Sequence, residues 1–345
     1  MCQFGGQWVI SVSIIMSKTK RGGRIVLVTG SVCLLVLFLF FFRAREMPQD
    51  QFILETSHLP ILLPHEHDAG EAVEDTGHHA YMYSKIFTAD KDMWITDMKF
   101  EIRNAPDTVV HHANLLNYDE PHGTCKNVPF EQMNQYVQDN MHTPTISFPK
   151  GTAMRIKKGQ RFQLVVMVHN PLPPIGPGGT YTDVYGRLKL TLVPEDKVAG
   201  LKEIKYHLAY LDEMLCKGRL ADGSLIYFFT VPPHVKKYAY TGTSDPNDPA
   251  RFTFKATSTI VYIGGHMHGW QGGTELLVDK NKKPFLSFVT HLSSSYPYRY
   301  DSPYYSTTIP INAGDTVSLE AVYDNPNDAS VRGVMGMLEM YYYEN

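Results

Sequence analysis

The chain has 345 residues, with 32 lysine and arginine residues against 35 aspartate and glutamate residues, and a formal net charge of −3 at pH 7. This balance excludes the strongly basic surface of a typical nucleic-acid-binding protein, and the length is sufficient for two domains with hydrophobic cores. Aromatic residues make up 12% of the chain, which also holds 26 glycine and 22 proline residues. That composition favours many short strands over long helices.

An uncharged apolar segment, residues 25–42, follows a basic stretch near the N-terminus. As a helix it would span about 27 Å, close to the thickness of the hydrocarbon core of a bilayer. The positive charges that precede it favour a cytoplasmic location for residues 1–24. The pattern therefore predicts a type II single-pass membrane anchor, with the rest of the chain in a lumenal or extracellular space. A cleaved signal peptide is the alternative, and it would make the protein secreted.

Residues 43–79 contain scattered polar and proline residues and are predicted to be a linker. From residue 80 onward, apolar and polar residues alternate in many short segments, as in half-buried strands. A charged, weakly patterned stretch at 194–205 separates two such regions. The sequence therefore predicts an all-β fold with two tandem antiparallel β-sandwich domains, jelly-roll-like in architecture, over residues 80–198 and 199–345.

Three histidines lie on two predicted strands of the first domain. His111 and His112 are adjacent, and neighbours on a regular strand face opposite sides, so a shared metal ion would require a local twist. His169 ends the apolar strand 162–170. Taken one at a time, such histidines are more often structural residues than metal ligands.

A second histidine pair, His266 and His268, lies in a glycine-rich segment that follows an apolar strand. Residues i and i+2 of a strand project from one face, so both imidazoles can bind one metal ion while Met267 points the other way. Met335 and Met337 recur on the last predicted strand, where core packing is the alternative role. Imidazole and thioether donors together favour copper over zinc, whose structural sites usually use cysteine thiolates.

In combination, these segments resemble the copper type II, ascorbate-dependent monooxygenases, the family of peptidylglycine α-hydroxylating monooxygenase and dopamine β-hydroxylase. The matching segments occur in the family's order between residues 80 and 345. They are 107–112 (DTVVHH), 166–169 (VMVH), 266–268 (HMH) and 335–343 (MGMLEMYYY).

The resemblance implies an oxidoreductase with two copper ions per chain, one in each domain. The electron-transfer copper would be held by His111, His112 and His169, and the oxygen-binding copper by His266, His268 and Met335. Three protein ligands leave a coordination position free for O2, and a thioether stabilises Cu(I). The implied reaction hydroxylates an aliphatic C–H carbon of a small molecule with O2 and a one-electron reductant such as ascorbate.

The sequence departs from the family's pattern at the substrate-contacting positions. Peptide-amidating members carry an arginine two residues before the His-x-His pair, where this chain has Gly264. Met337 and Glu339 replace the family's substrate-side residues on the last strand, and Tyr83 is expected to replace a substrate-contacting tyrosine. A buried carboxylate such as Glu339 suits an amine better than a peptide carboxylate, the alternative being a structurally paired glutamate.

Three other functions remain open from the sequence. They are peptidylglycine α-hydroxylation, copper binding without catalysis on the same fold, and zinc-dependent hydrolysis. The last is disfavoured because the chain has no HExxH motif and no nucleophile elbow. Cys125 and Cys216 can form one disulfide if their compartment is oxidising, and no oligomeric state is predicted.

Overall fold

The computed structural model describes ten stretches of the chain, and within them the predicted all-β class is confirmed. The stretches are 50–64, 80–119, 134–138, 145–170, 172, 178–211, 229–242, 248–267, 272–290 and 305–345. Apart from strands, they contain two short 3-10 turns, Asp107–Val109 and Glu195–Lys197. No helix in these stretches is long and apolar enough to cross a bilayer. The predicted anchor, 25–42, lies outside them.

The strands are short, as the glycine and proline content suggested. In chain order they are β1 (Asp50–Glu55), β2 (Leu59–Leu62), β3 (Ala80–Tyr83), β4 (Phe87–Thr88), β5 (Met93–Arg103), β6 (Val110–Asn117), β7 (Asn134–Gln138), β8 (Thr145–Ser147), β9 (Thr152–Ile156), β10 (Arg161–Val168), β11 (Tyr181–Leu192), β12 (Lys202–Tyr210), β13 (Phe229–Val231), β14 (Val235–Tyr240), β15 (Arg251–Thr253), β16 (Ser258–Met267), β17 (Gly273–Lys280), β18 (Lys283–Val289), β19 (Tyr305–Ile311), β20 (Thr316–Asn325), β21 (Val331–Val334) and β22 (Gly336–Glu344).

The described strands form four sheets, the largest of which has ten strands. Its main path is β1-β11-β5-β9-β12-β22-β16-β19, with β2 added on β11 and β8 on β5. The pairing of β9 with β12 is parallel, whereas the other pairs are antiparallel. One five-stranded sheet follows β3-β10-β6-β7 with β4 on β10, and another follows β14-β20-β17-β18 with β15 on β20. Strands β13 and β21 form the two-stranded sheet.

Two hydrophobic cores lie within one compact unit, Gln49–Asn345. The first core packs side chains of β1, β5, β9 and β11 against those of β3, β6 and β10. The second packs side chains of β12, β16 and β22 against those of β17, β18 and β20. Strand β22 contributes to both, because Leu338 and Met340 belong to the second core while Tyr341 belongs to the first. The boundaries of the two domains stay predictions.

Part of the predicted linker, 43–79, forms strands. Strands β1 and β2 both pair with β11, one after the other along its edge. They are held there because Leu54 and Leu62 are buried in the first core and Phe52 packs against it. The sequence of β1 does not alternate between apolar and polar residues, because Ile53, which lies between two inward-facing apolar residues, is itself apolar although its side chain is 49% exposed.

Candidate functional site

Three of the predicted metal-binding histidines meet where β6 and β10 lie side by side. His111 and His112 are the second and third residues of β6, and His169 directly follows β10; all three are buried. The backbone N–H of His169 donates to the carbonyl oxygen of Val109 at 2.8 Å, which holds the two strand ends together. The pairing of β6 with β10 shifts register at this point. This irregularity brings the rings of His111 and His112 to a centroid distance of 4.0 Å, although neighbours on a regular strand point apart.

His266, from β16, joins the same group. Its neighbours on β16 face the second core, because Met267 belongs to that core and a Cβ on Gly265 would meet Leu276 and Phe288. Alternation therefore turns His266 toward the first-core side of the sheet. Its ring centroid lies 5.0 Å from that of His112 and 6.1 Å from that of His111. We refer to His111, His112, His169 and His266 as the four-histidine cluster.

The sequence predicts that His266 belongs to a second metal site, whereas the structure brings it beside the first three histidines. Met337 is the direct cross-strand partner of His266. Met335 lies between β21 and β22, next to Gly336, which is the partner of Met267. His268 falls outside the described residues. Whether Met335 and His268 are ligands stays a prediction.

The two remaining predicted contacts differ in environment. Glu339 lies on β22 and is 1% exposed. Tyr83 lies on β3, is 46% exposed and stacks beside Tyr81 at a centroid distance of 6.3 Å. Burying a carboxylate is costly unless hydrogen-bond donors or a positive charge compensate for the lost water, whereas an exposed tyrosine on a strand has no such cost. Substrate contacts at Met337, Glu339 and Tyr83 stay predictions.

The charge of Glu339 acts on two tyrosines, Tyr206 and Tyr341, that the sequence does not predict as site residues. Burial, followed by the charge of Glu339, raises the pKa of the Tyr206 and Tyr341 hydroxyls well above the usual value. The ring of Tyr341 lies 5.1 Å from that of Tyr206 and 5.9 Å from that of Tyr262. The sequence carries no signal for this group, because its members meet only through the register of the strands. Tyr341 pairs with Tyr206 on one side and Tyr262 on the other, two residues along β22 from Glu339.

Two of the four ring spacings in the four-histidine cluster fit imidazoles that share a metal ion. An imidazole nitrogen binds a metal ion at about 2.0–2.1 Å, so two rings on one tetrahedral ion have centroids about 5 Å apart. The distances are 5.1 Å for His111 and His169 and 5.0 Å for His112 and His266. Within the described stretches, however, no group of three or more ligating side chains is already arranged to hold a metal ion. Binding would therefore require the rings to rotate about their side-chain torsions.

Comparison with known proteins finds no matching family model and no matching curated protein. Among solved structures, N-glycanase F (PNGase F) matches with a TM-score of 0.37 and 10% identity, covering 86% of this chain and 99% of that one. A peptide-N(4)-(N-acetyl-β-D-glucosaminyl)asparagine amidase matches with a TM-score of 0.37 and 9% identity, over 85% and 96% of the two chains. PNGF-II matches with a TM-score of 0.34 and 12% identity, over 86% and 65%. Likeness at these scores assigns no activity to this chain.

These comparisons correct the family assignment made from the sequence. No family model matches the chain, that of the copper type II monooxygenases included, and the three solved structures named above are N-glycanases and not monooxygenases. Membership of the monooxygenase family, the oxidoreductase activity and its variant, peptidylglycine α-hydroxylation, are therefore wrong. The physical reason is that the matching segments are short, and two of them, 266–268 and 335–343, match through histidine or methionine pairs at i and i+2, which share a face on a strand of any β protein. Four such segments in order do not define a family.

Proposed function

We propose that this chain is a metal-binding protein whose four-histidine cluster supplies ligands to transition-metal ions. The observation that carries the proposal is the convergence of four buried imidazoles from β6, β10 and β16, with centroid distances of 4.0 to 6.1 Å. Imidazole is a common ligand of copper, zinc and nickel, and its neutral form binds through either ring nitrogen.

A purely structural role explains this cluster less well. Burying polar groups is costly unless each is satisfied, and packing alone is served as well by apolar side chains of similar volume. A single buried histidine can form a hydrogen bond with a nearby backbone group. That role does not require four imidazole rings side by side. Metal binding would explain why all four imidazole rings converge at this place.

Copper is the ion we propose first, with His268 and Met335 as further ligands and two ions per chain. The donor set supports this choice, because thioether and imidazole ligands suit Cu(I) and Cu(II). The ligand sets His111, His112, His169 and His266, His268, Met335 would then be neighbours, since His266 lies beside His112. Ascorbate and O2 belong to the monooxygenase reaction, which we do not propose for this chain.

The test is metal titration of the full-length chain in detergent after removal of metal with a chelator. Calorimetry with Cu(II), and with Zn(II) as the competing ion, gives stoichiometry and affinity. We expect His112→Ala and His266→Ala each to weaken binding by roughly 10-fold or more, because each removes an imidazole ligand. His207→Ala is the matched control, since His207 stacks on Phe252 away from the cluster and its loss should leave the affinity unchanged.

Two results would contradict the proposal. One is the absence of specific binding by the wild-type chain. The other is equal affinity of His112→Ala, His266→Ala and the wild type. If Met335→Ile lowers the affinity for Cu(I) but not that for Cu(II), the Met335 thioether is a ligand, because sulfur prefers the softer ion.

We also propose that the finer architecture is two tandem jelly-roll-like β-sandwiches joined through the ten-stranded sheet. Two cores that share β22 support it. For location, we propose that residues 25–42 form a type II anchor and that the β unit lies in a lumenal or extracellular space. The uncharged length of that segment and the basic residues before it support the anchor.

A further inference from the structure

Glu339 and His266 lie on one face of two paired strands. In the antiparallel pairing of β16 with β22, His266 is opposite Met337, and Gly264 is opposite Glu339. Leu338 and Met340 point into the second core, so Glu339 points to the other side of the sheet. That is the side to which His266 also turns.

This register puts the carboxylate within reach of the imidazole. Diagonal neighbours on one face of an antiparallel pair are about 7–8 Å apart at the backbone, which long side chains span. Directly opposite Glu339 is Gly264, which has no side chain. The space above Gly264 is therefore left for the carboxylate of Glu339 to lean toward His266.

The rest of the environment suits an ionised carboxylate as hydrogen-bond acceptor. The charge of Glu339 contributes, after burial, to the raised pKa of Tyr206 and Tyr341. Tyr341 lies two residues from Glu339 on the same face of β22, and Tyr206 is its cross-strand partner on β12. Within the described part of the chain, neither of these buried hydroxyls makes a hydrogen bond. Both can donate to Glu339, as can a ring N–H of His266, and a buried carboxylate needs such donors.

We infer that Glu339 is a positioning residue for the proposed metal site: when the imidazole rings rotate to bind a metal ion, its carboxylate accepts a hydrogen bond from one ring N–H of His266, so that the other ring nitrogen faces the ion. Such a carboxylate selects the tautomer, orients the ring and makes the ligating nitrogen more basic. The inference rests on the proposed metal binding. It gives Glu339 a role that needs no substrate.

The experiment measures Cu(II) affinity of the full-length chain by competition with a chelator, and the electron paramagnetic resonance spectrum of the Cu(II)-loaded protein. Glu339→Leu removes the acceptor, and we expect a loss in affinity of roughly 10- to 100-fold together with a changed spectrum. Glu339→Gln keeps an acceptor oxygen without the charge, so its affinity should fall between those of Glu339→Leu and the wild type. Met340→Leu is the matched control on the same strand, since its side chain lies in the second core.

The outcomes separate this inference from the proposal on which it rests. If the wild-type chain binds Cu(II) and both Glu339 variants bind within about twofold of it, the positioning role is overturned while metal binding stands. If the wild-type chain does not bind, both fail. If Glu339→Leu does not fold, the Cu(II) affinity of Glu339→Gln tests the positioning role instead, because glutamine preserves the shape of the side chain.

Discussion

Asp119 is a single residue whose charge state should make stability depend on pH. Its Oδ1 accepts a hydrogen bond from Nε of Arg161 at 2.8 Å and lies 2.7 Å from a terminal nitrogen of the same guanidinium. The side-chain hydrogen bonds from Arg161 are the main cause of the lowered pKa of Asp119. Because the folded-state pKa is below the unfolded value of about 3.9, the stabilisation is complete above that value and is lost as the pH falls through the folded-state pKa.

We therefore expect Asp119→Asn to lower the free energy of unfolding by about 0.5–1 kcal/mol at pH 7, discounted for an ion pair that is partly exposed. The difference from the wild type should shrink toward zero well below pH 4, where the wild-type carboxylate is protonated. Urea unfolding of the wild type and the variant at pH 7 and well below pH 4 measures this difference in the free energy of unfolding. Asp90→Asn is the control, since Asp90 is exposed, and an equal effect of both substitutions would show that the pairing with Arg161 is not the cause.

At the scale of elements, β12 and β22 decide whether the two cores unfold separately. Strand β12 pairs in parallel with β9 and antiparallel with β22, and Ile204 on β12 is buried in the first core. A strand whose two faces belong to different cores cannot lose one core and keep the other intact. We expect one calorimetric transition for the unit Gln49–Asn345.

Ile204→Ala should lower the stability of this whole unit by about 2–5 kcal/mol, because it leaves a cavity where β12 meets β9. The single transition should move to lower temperature without splitting. A variant that shows two transitions, with only one displaced, would mean that the two cores fold independently.

At the scale of the whole molecule, the proposed anchor, residues 25–42, would determine in which compartment the β unit lies. We expect the full-length chain to stay with membranes after alkaline carbonate extraction, because residues 25–42 are long enough to span a bilayer and carry no charge. A chain that starts at residue 46 should be found in the soluble fraction. A mature N-terminus located after residue 42, with full release of the chain, would instead identify the segment as a signal peptide.

The sequence by itself determined those features of the protein that depend on neighbouring residues. Alternating apolar residues located strands such as β5 and β11, and composition with alternation was sufficient for the all-β class. The same local patterns led to a wrong family assignment, because i, i+2 histidines on a strand carry no information about the rest of the fold.

Only the tertiary structure decided which distant residues meet. It placed His266 beside His112, and it set Gly264 opposite Glu339. It also turned β1 and β2 from a predicted linker into edge strands that help to cover the first core. The physical reason is that the register between strands is selected by how both faces of a sheet pack, which depends on residues far away in the sequence and not on the pattern along any one strand.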